Sequence, residues 1–150
     1  MTAMSHPMLQ WDKHAESDSP ERRVMGYRVP SWQRPLVWTD DQKVRLLESV
    51  WLGLNIGTYA YSQNYDKPEF DGLLIDGQQR LNAIQEYLCD HFPVFGYKWS
   101  EITAIDRRFF ESNHFHCFII DSDDEDFLRN YYDMTNFGGT PHNPNQRATK

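Results

Sequence analysis

Cysteine is scarce in this sequence of 150 residues. The two present, Cys89 and Cys117, stand at no spacing that suits a zinc ribbon or a disulfide framework, which points to a reducing compartment. Both thiols are expected to pack in the core, and the chain reads as cytoplasmic. Positive charge is also short: fifteen Lys and Arg face twenty-two Asp and Glu, a formal net charge of −7. That balance argues against holding nucleic acid by bulk charge, so any contact with DNA has to be local. No uncharged apolar run approaches the roughly 20 residues that a bilayer span needs, and no basic-then-apolar signal opens the chain. Membrane and secreted roles drop out. Internal repeats are absent too, so one domain suffices.

What the chain has in quantity is ring area. Aromatic residues make up 15% of it, too many for a disordered chain despite a mean hydropathy of −0.74. Residues 1–21 read as a polar, flexible leader, 22–139 as the organised domain and 140–150 as a polar tail. Within the domain, Thr39-Asp40-Asp41-Gln42 has the form of a capping box. Val44, Leu46, Leu47, Val50, Trp51 and Leu54 follow at helical spacing, with Gly53 placed to stop the helix. Thr58 to Ser62 and Gly72 to Ile75 read as two short strands that pair. After Asp76-Gly77 the spacing of Leu81, Ile84 and Leu88 predicts a second helix. Ile105 to Ser112 predicts a short helix and His114 to Ile120 a strand. The acidic 121–126 segment starts a last helix with Phe127, Leu128, Tyr131, Tyr132 and Met134 as its apolar positions, stopped by Gly138-Gly139.

The most informative stretch is Ile75-Asp76-Gly77-Gln78-Gln79-Arg80. A glycine at a strand-to-helix turn lets backbone N–H groups approach an anion, and the helix N-terminus adds partial positive charge. Arg80 can fork onto a phosphate, Gln78 and Gln79 can donate hydrogen bonds or orient a water, and Asp76 can hold a metal ion or take a proton. A plainer reading has Asp76 capping the helix, Gly77 making the turn and both glutamines solvated. Upstream, Gln33 and Arg34 form a polar pair between Trp32 and Trp38. Arg34 is either a second guanidinium for an anionic ligand or a cation stacked on one of the tryptophans. Asn136 either contacts a metal or phosphate oxygen or simply ends its helix. His114 and His116 alternate on the predicted strand and need a third ligand, His91 or Asp121, to hold zinc; half-exposed strand histidines are the plainer alternative.

Taken together and in order, Val29 to Trp38, Leu52-Gly53, Ile75 to Leu81 and Asn136 to His142 carry a resemblance. The sequence resembles the DGQQR-motif proteins: the N-terminal domain of GmrSD-type modification-dependent restriction enzymes and SspE-like defence proteins, in the ParB/sulfiredoxin superfamily. The resemblance implies a compact α/β (mixed α+β) domain with a small mixed sheet and packed helices. It implies that Asp76, Gly77, Gln78, Gln79 and Arg80 form a nucleotide site, with anion contacts from Gln33 and Arg34 and a metal or phosphate contact from Asn136. The sulfiredoxin cysteine has no counterpart, because Gln78 stands in its place. Larger relatives carry an HNH nuclease domain, so this chain is expected to be the NTP-handling half alone.

The expected activity is NTP hydrolysis with Mg²⁺ or another divalent ion at Asp76, with Asp76, Gln78, Gln79 and Arg80 as the catalytic set. Nuclease activity on DNA, in conflict between phage or plasmid and host, is the further expectation. The alternative is a non-enzymatic module that inhibits or recruits a host or phage protein through an acidic surface. A ParB-type DNA-binding role lacks the helix-turn-helix that should follow this fold.

Overall fold

The computed structural model describes residues 22–137. The expected leader, the Gly138-Gly139 stop, the tail and the Gly138 to His142 part of the last motif lie outside them. The order is β1 (Arg23–Val24), β2 (Tyr27–Arg28), α1 (Asp40–Trp51), β3 (Thr58–Ser62), β4 (Leu74–Asp76), α2 (Gln78–Leu88), α3 (Ala104–Glu111), β5 (His116–Ile120) and α4 (Glu125–Phe137). This is the mixed α/β domain that the sequence leads one to expect.

Two small sheets organise it. β1 and β2 form a hairpin whose turn residues, Met25 and Gly26, both have positive φ, the geometry that suits the right-handed twist of a two-residue hairpin. The second sheet has the order β4-β3-β5. β3 runs antiparallel to β4, with a bulge between Ala60 and Tyr61, and parallel to β5, pairing Thr58 with His116 through Ser62 with Ile120. A parallel pair needs a long crossover, here supplied by β4, α2 and α3.

Strand alternation divides the core into two. Tyr59 and Leu74 face a cluster with Leu47, Leu81, Ile84, Tyr87, Phe110 and Phe115. Ala60 and Ile75, their neighbours in sequence, face a second cluster with Ile120 and with Leu128 and Tyr132 of α4. α2 is buried along most of its length against the first cluster. Its end next to β4 is the corner at which the informative motif sits.

Several expectations change. β5 starts at His116, not His114: Phe115 turns into the core and interrupts the run, leaving His114 a single bridge outside the strand. β4 starts at Leu74: Gly72 has φ +69° and its N–H donates to the Ser62 carbonyl at 2.8 Å as part of the turn. Cys117, though half-buried on β5, packs against the first core cluster as expected, whereas Cys89 is half-buried at the C-cap of α2. On α4 only Leu128 and Tyr132 are buried, and Phe127 and Met134 face solvent, because that helix covers one small cluster.

Candidate functional site

The strand β4 delivers Asp76 to the corner, and Gly77 turns the chain into α2. Gly77 is the N-cap, with φ +94° and no side-chain capping bond. Asp76 is therefore not the cap. The first-turn N–H groups of Gln78, Gln79 and Arg80 have no acceptor within the helix, so the corner presents donors and a positive dipole end. The reason for glycine is steric as well as conformational: a Cβ at position 77 would stand 2.5 Å from the Tyr59 Cβ.

A cleft of about 270 Å³ opens at this corner. Its walls bring together Gln33, Arg34, Asp76, Gly77, Gln78, Gln79, Arg80 and Asn136, all eight residues that the sequence nominates, from three separate parts of the chain. Trp38, Tyr132 and Thr135 complete the lining. Two guanidinium groups against one carboxylate make this cleft locally cationic in a chain of net charge −7.

Arg80 is braced from inside. Its Nη1 donates to the Ile56 carbonyl at 2.9 Å, its guanidinium carbon lies 5.6 Å from the Phe115 ring centroid, and Nη2 stands 3.5 Å from the Asp76 carboxylate. Burial lowers its pKa from the ordinary arginine value and Asp76 opposes that shift, so the group stays cationic. The contact to Asp76, at 3.5 Å, is longer than the hydrogen bond to Ile56. Gly57 makes the arrangement possible: with φ +84°, a Cβ there would meet Nη1 at 2.5 Å.

Both glutamines of the motif are buried instead of solvated. Gln79 Oε1 accepts from the N–H groups of Val37 at 3.1 Å and Trp38 at 3.2 Å, while Nε2 donates to the Pro35 carbonyl at 3.1 Å. Gln33 Nε2 donates to the carbonyl of Leu74 and, at 3.3 Å, to that of Ile75. Gln33 Oε1 and Gln78 Nε2 are buried with no hydrogen-bond partner among the described residues, an acceptor and a donor at the same corner. Arg34 is exposed; its N–H donates to the Tyr132 hydroxyl at 3.4 Å. The cation over Trp32 is Arg129, at 5.4 Å, which leaves Arg34 to line the cleft. Asn136 donates from Nδ2 to the Tyr132 carbonyl at 2.8 Å, committing that nitrogen to its own helix.

The histidine pair lies elsewhere. His114 and His116 line a second cleft of about 300 Å³ with Asn55, Asn113 and Ser112, their rings 6.2 Å apart. Among the described residues no group of three or more His, Cys, Asp or Glu side chains could hold a metal, so neither His91 nor Asp121 completes a zinc site. His91 instead lies 3.9 Å from Glu86. The acidic start of α4 serves that helix: the Asp124 carboxylate accepts from the N–H groups of Asp126 and Phe127.

Sequence reasoning missed Gly57, Ile56, Phe115 and Thr135, and read Tyr132 only as an apolar position. For Gly57 a glycine shortly before a strand is the sole local signal. The others take their roles from contacts across the fold.

No curated protein and no solved structure matches the chain. The family described as the GmrSD restriction endonuclease, N-terminal domain, matches residues 17–148. This span covers the cleft and every element around it, and the chain belongs to the GmrSD restriction endonuclease N-terminal domain family.

Proposed function

We infer that the cleft binds the phosphate groups of a nucleoside triphosphate and hydrolyses it, in the service of a restriction-type reaction on DNA. The observation that carries this reading is the meeting of Arg34 and Arg80 with the uncapped start of α2 in one cleft of about 270 Å³. At that size the cleft suits a polyphosphate chain better than an entire nucleotide, since small-molecule pockets run from roughly 300 Å³ upward. Backbone N–H groups at the start of α2 receive phosphate oxygens, and the two guanidinium groups neutralise charge as it develops on the transferred phosphoryl group.

Asp76 fits a divalent ion. Its carboxylate is partly exposed in the cleft and its contact to Arg80 is long, and Mg²⁺ is commonly held by one or two carboxylates together with substrate phosphates. When bound there, the ion would supply charge neutralisation for the phosphates. On this reading Gln78, whose buried amide nitrogen has no partner among the described residues, orients a ligand oxygen.

Calorimetry with ATP, GTP and CTP in the presence of Mg²⁺ tests the binding step. Arg80→Ala should weaken binding by roughly 1.5–3 kcal/mol, the worth of a charge-assisted hydrogen bond. A wild-type protein that takes up none of the three sinks the proposal. Phosphate release that disappears in Asp76→Ala establishes turnover.

A second reading has its own observation. The edge strand β5 exposes Phe118 and Ile119, 57% and 54% accessible, a surface of the kind that protein partners cover. On that reading the chain is an interaction module, and bound nucleotide would remain unhydrolysed with or without Asp76.

A further inference from the structure

The stretch that presents Arg34 has no regular structure between Gln33 and Thr39, and Arg34, Pro35, Leu36 and Val37 are all exposed. Such a segment, left alone, would sample many conformations and carry the arginine with it. Here it is fastened to the β4–α2 corner by two glutamines that reach in opposite directions. Gln33, from the segment, grips the Leu74 and Ile75 carbonyls of β4. Gln79, from α2, grips Pro35, Val37 and Trp38 of the segment.

The inventory of the Gln79 amide is decisive. Its oxygen has two acceptor positions, and two backbone N–H groups occupy them. Its nitrogen gives one of its two N–H groups to a carbonyl. Carbonyl and N–H partners on one amide also fix which end is which, since the reverse assignment would set donor against donor. An amide oxygen engaged in this way has no lone pair left to orient or activate a water.

We propose that Gln79, with Gln33, is a positioning residue: the pair of buried amides braces residues 33–38 across the corner and so holds Arg34 and Trp38 at the cleft. Gln79 then acts on the ligand through Arg34 and does not touch the phosphates. The affinity part rests on the cleft being an anion site; the brace itself does not.

Two measurements separate these. Amide hydrogen exchange, followed by NMR, reports the brace directly at Val37 and Trp38. Gln79→Met, similar in shape but without hydrogen bonds, should release protection at those two amides while the α2 core positions stay protected. Gln79→Glu keeps the acceptor and should retain much of that protection. Wild-type exchange at Val37 and Trp38 in Gln79→Met overturns the brace, and should that variant fail to fold, exchange of those two amides at the rate of an open chain in the wild-type protein does so.

The second measurement is a double-mutant cycle on the affinity for inorganic triphosphate, read by calorimetry. Arg34→Ala and Gln79→Met should each weaken it roughly tenfold, and the double variant no further than either alone, because the two losses are one loss. Effects that multiply to roughly a hundredfold would mean that Gln79 meets the ligand itself, and the positioning role falls. If the wild-type protein takes up no triphosphate, the anion-site reading fails and the exchange data decide the brace alone.

Discussion

At the scale of single residues, two glycines with similar backbone angles have different costs in the fold. Gly57 and Gly72 both have positive φ, +84° and +69°. A Cβ at Gly72 meets nothing within 4 Å, whereas one at Gly57 stands 2.5 Å from Arg80 Nη1. Gly72→Ala should therefore show backbone strain only, of order 1 kcal/mol. Gly57→Ala adds displacement of a guanidinium that is hydrogen-bonded to Ile56, and we expect a loss of roughly 2–3 kcal/mol together with weaker triphosphate binding. Urea denaturation measures both as a fall in midpoint at unchanged slope. Equal losses for the two variants would show that Arg80 relaxes freely. Nothing in the local sequence distinguishes these glycines, since the atom that makes one of them special comes from 23 positions further along the chain.

At the scale of elements, α1 shows what local sequence can settle. Thr39 accepts from the Gln42 N–H at 3.3 Å and the Gln42 side chain accepts from the Thr39 N–H at 2.9 Å, the reciprocal box that four consecutive letters announce. Thr39→Ala should cost about 1 kcal/mol in chemical denaturation, and a loss within error would mean that α1 is held by packing alone. How α1 meets α2 was not legible. Lys43 pairs with Glu86 at 2.5 Å, and that carboxylate raises the lysine pKa. The partners belong to helices separated by a strand pair, and nothing in either helix's own periodicity selects the other.

At the scale of the whole molecule, the aromatic abundance becomes a property of the fold. Tyr27, Tyr59 and Tyr61 gather where the hairpin meets the sheet, Tyr27 and Tyr61 with ring centroids 4.8 Å apart. Burial pushes the Tyr27 hydroxyl up to about 12, and raises Tyr59 and Tyr61 as well. The sign follows from proton counting. Above pH 10 the unfolded chain releases tyrosine protons that the folded chain keeps, so the unfolded state gains and stability falls. The contribution is complete below about pH 10 and is lost as pH rises through 12 for Tyr27. Each such tyrosine adds up to about 1.4 kcal/mol per pH unit to the slope, and the raised Lys43 acts in the same direction. Tyr59→Phe should make the alkaline limb shallower in denaturation curves taken between pH 9 and 12. An unchanged limb would place the ionising groups elsewhere.

The sequence by itself determined the mixed α/β class, the capped start of α1 and the pairing of β3 with β4. These follow from nearest-neighbour chemistry: side-chain periodicity, capping geometry and a glycine at a strand-to-helix turn act within a few residues of themselves. Only the tertiary structure decided that eight residues from three parts of the chain share one cleft, that Gln79 and the amide nitrogen of Gln33 bind backbone partners, that Arg80 leans on Ile56 and Phe115, and that His114 and His116 meet no third ligand among the described residues. A buried polar group takes whichever partner packing brings within hydrogen-bond reach, and packing joins segments that the chain itself keeps far apart.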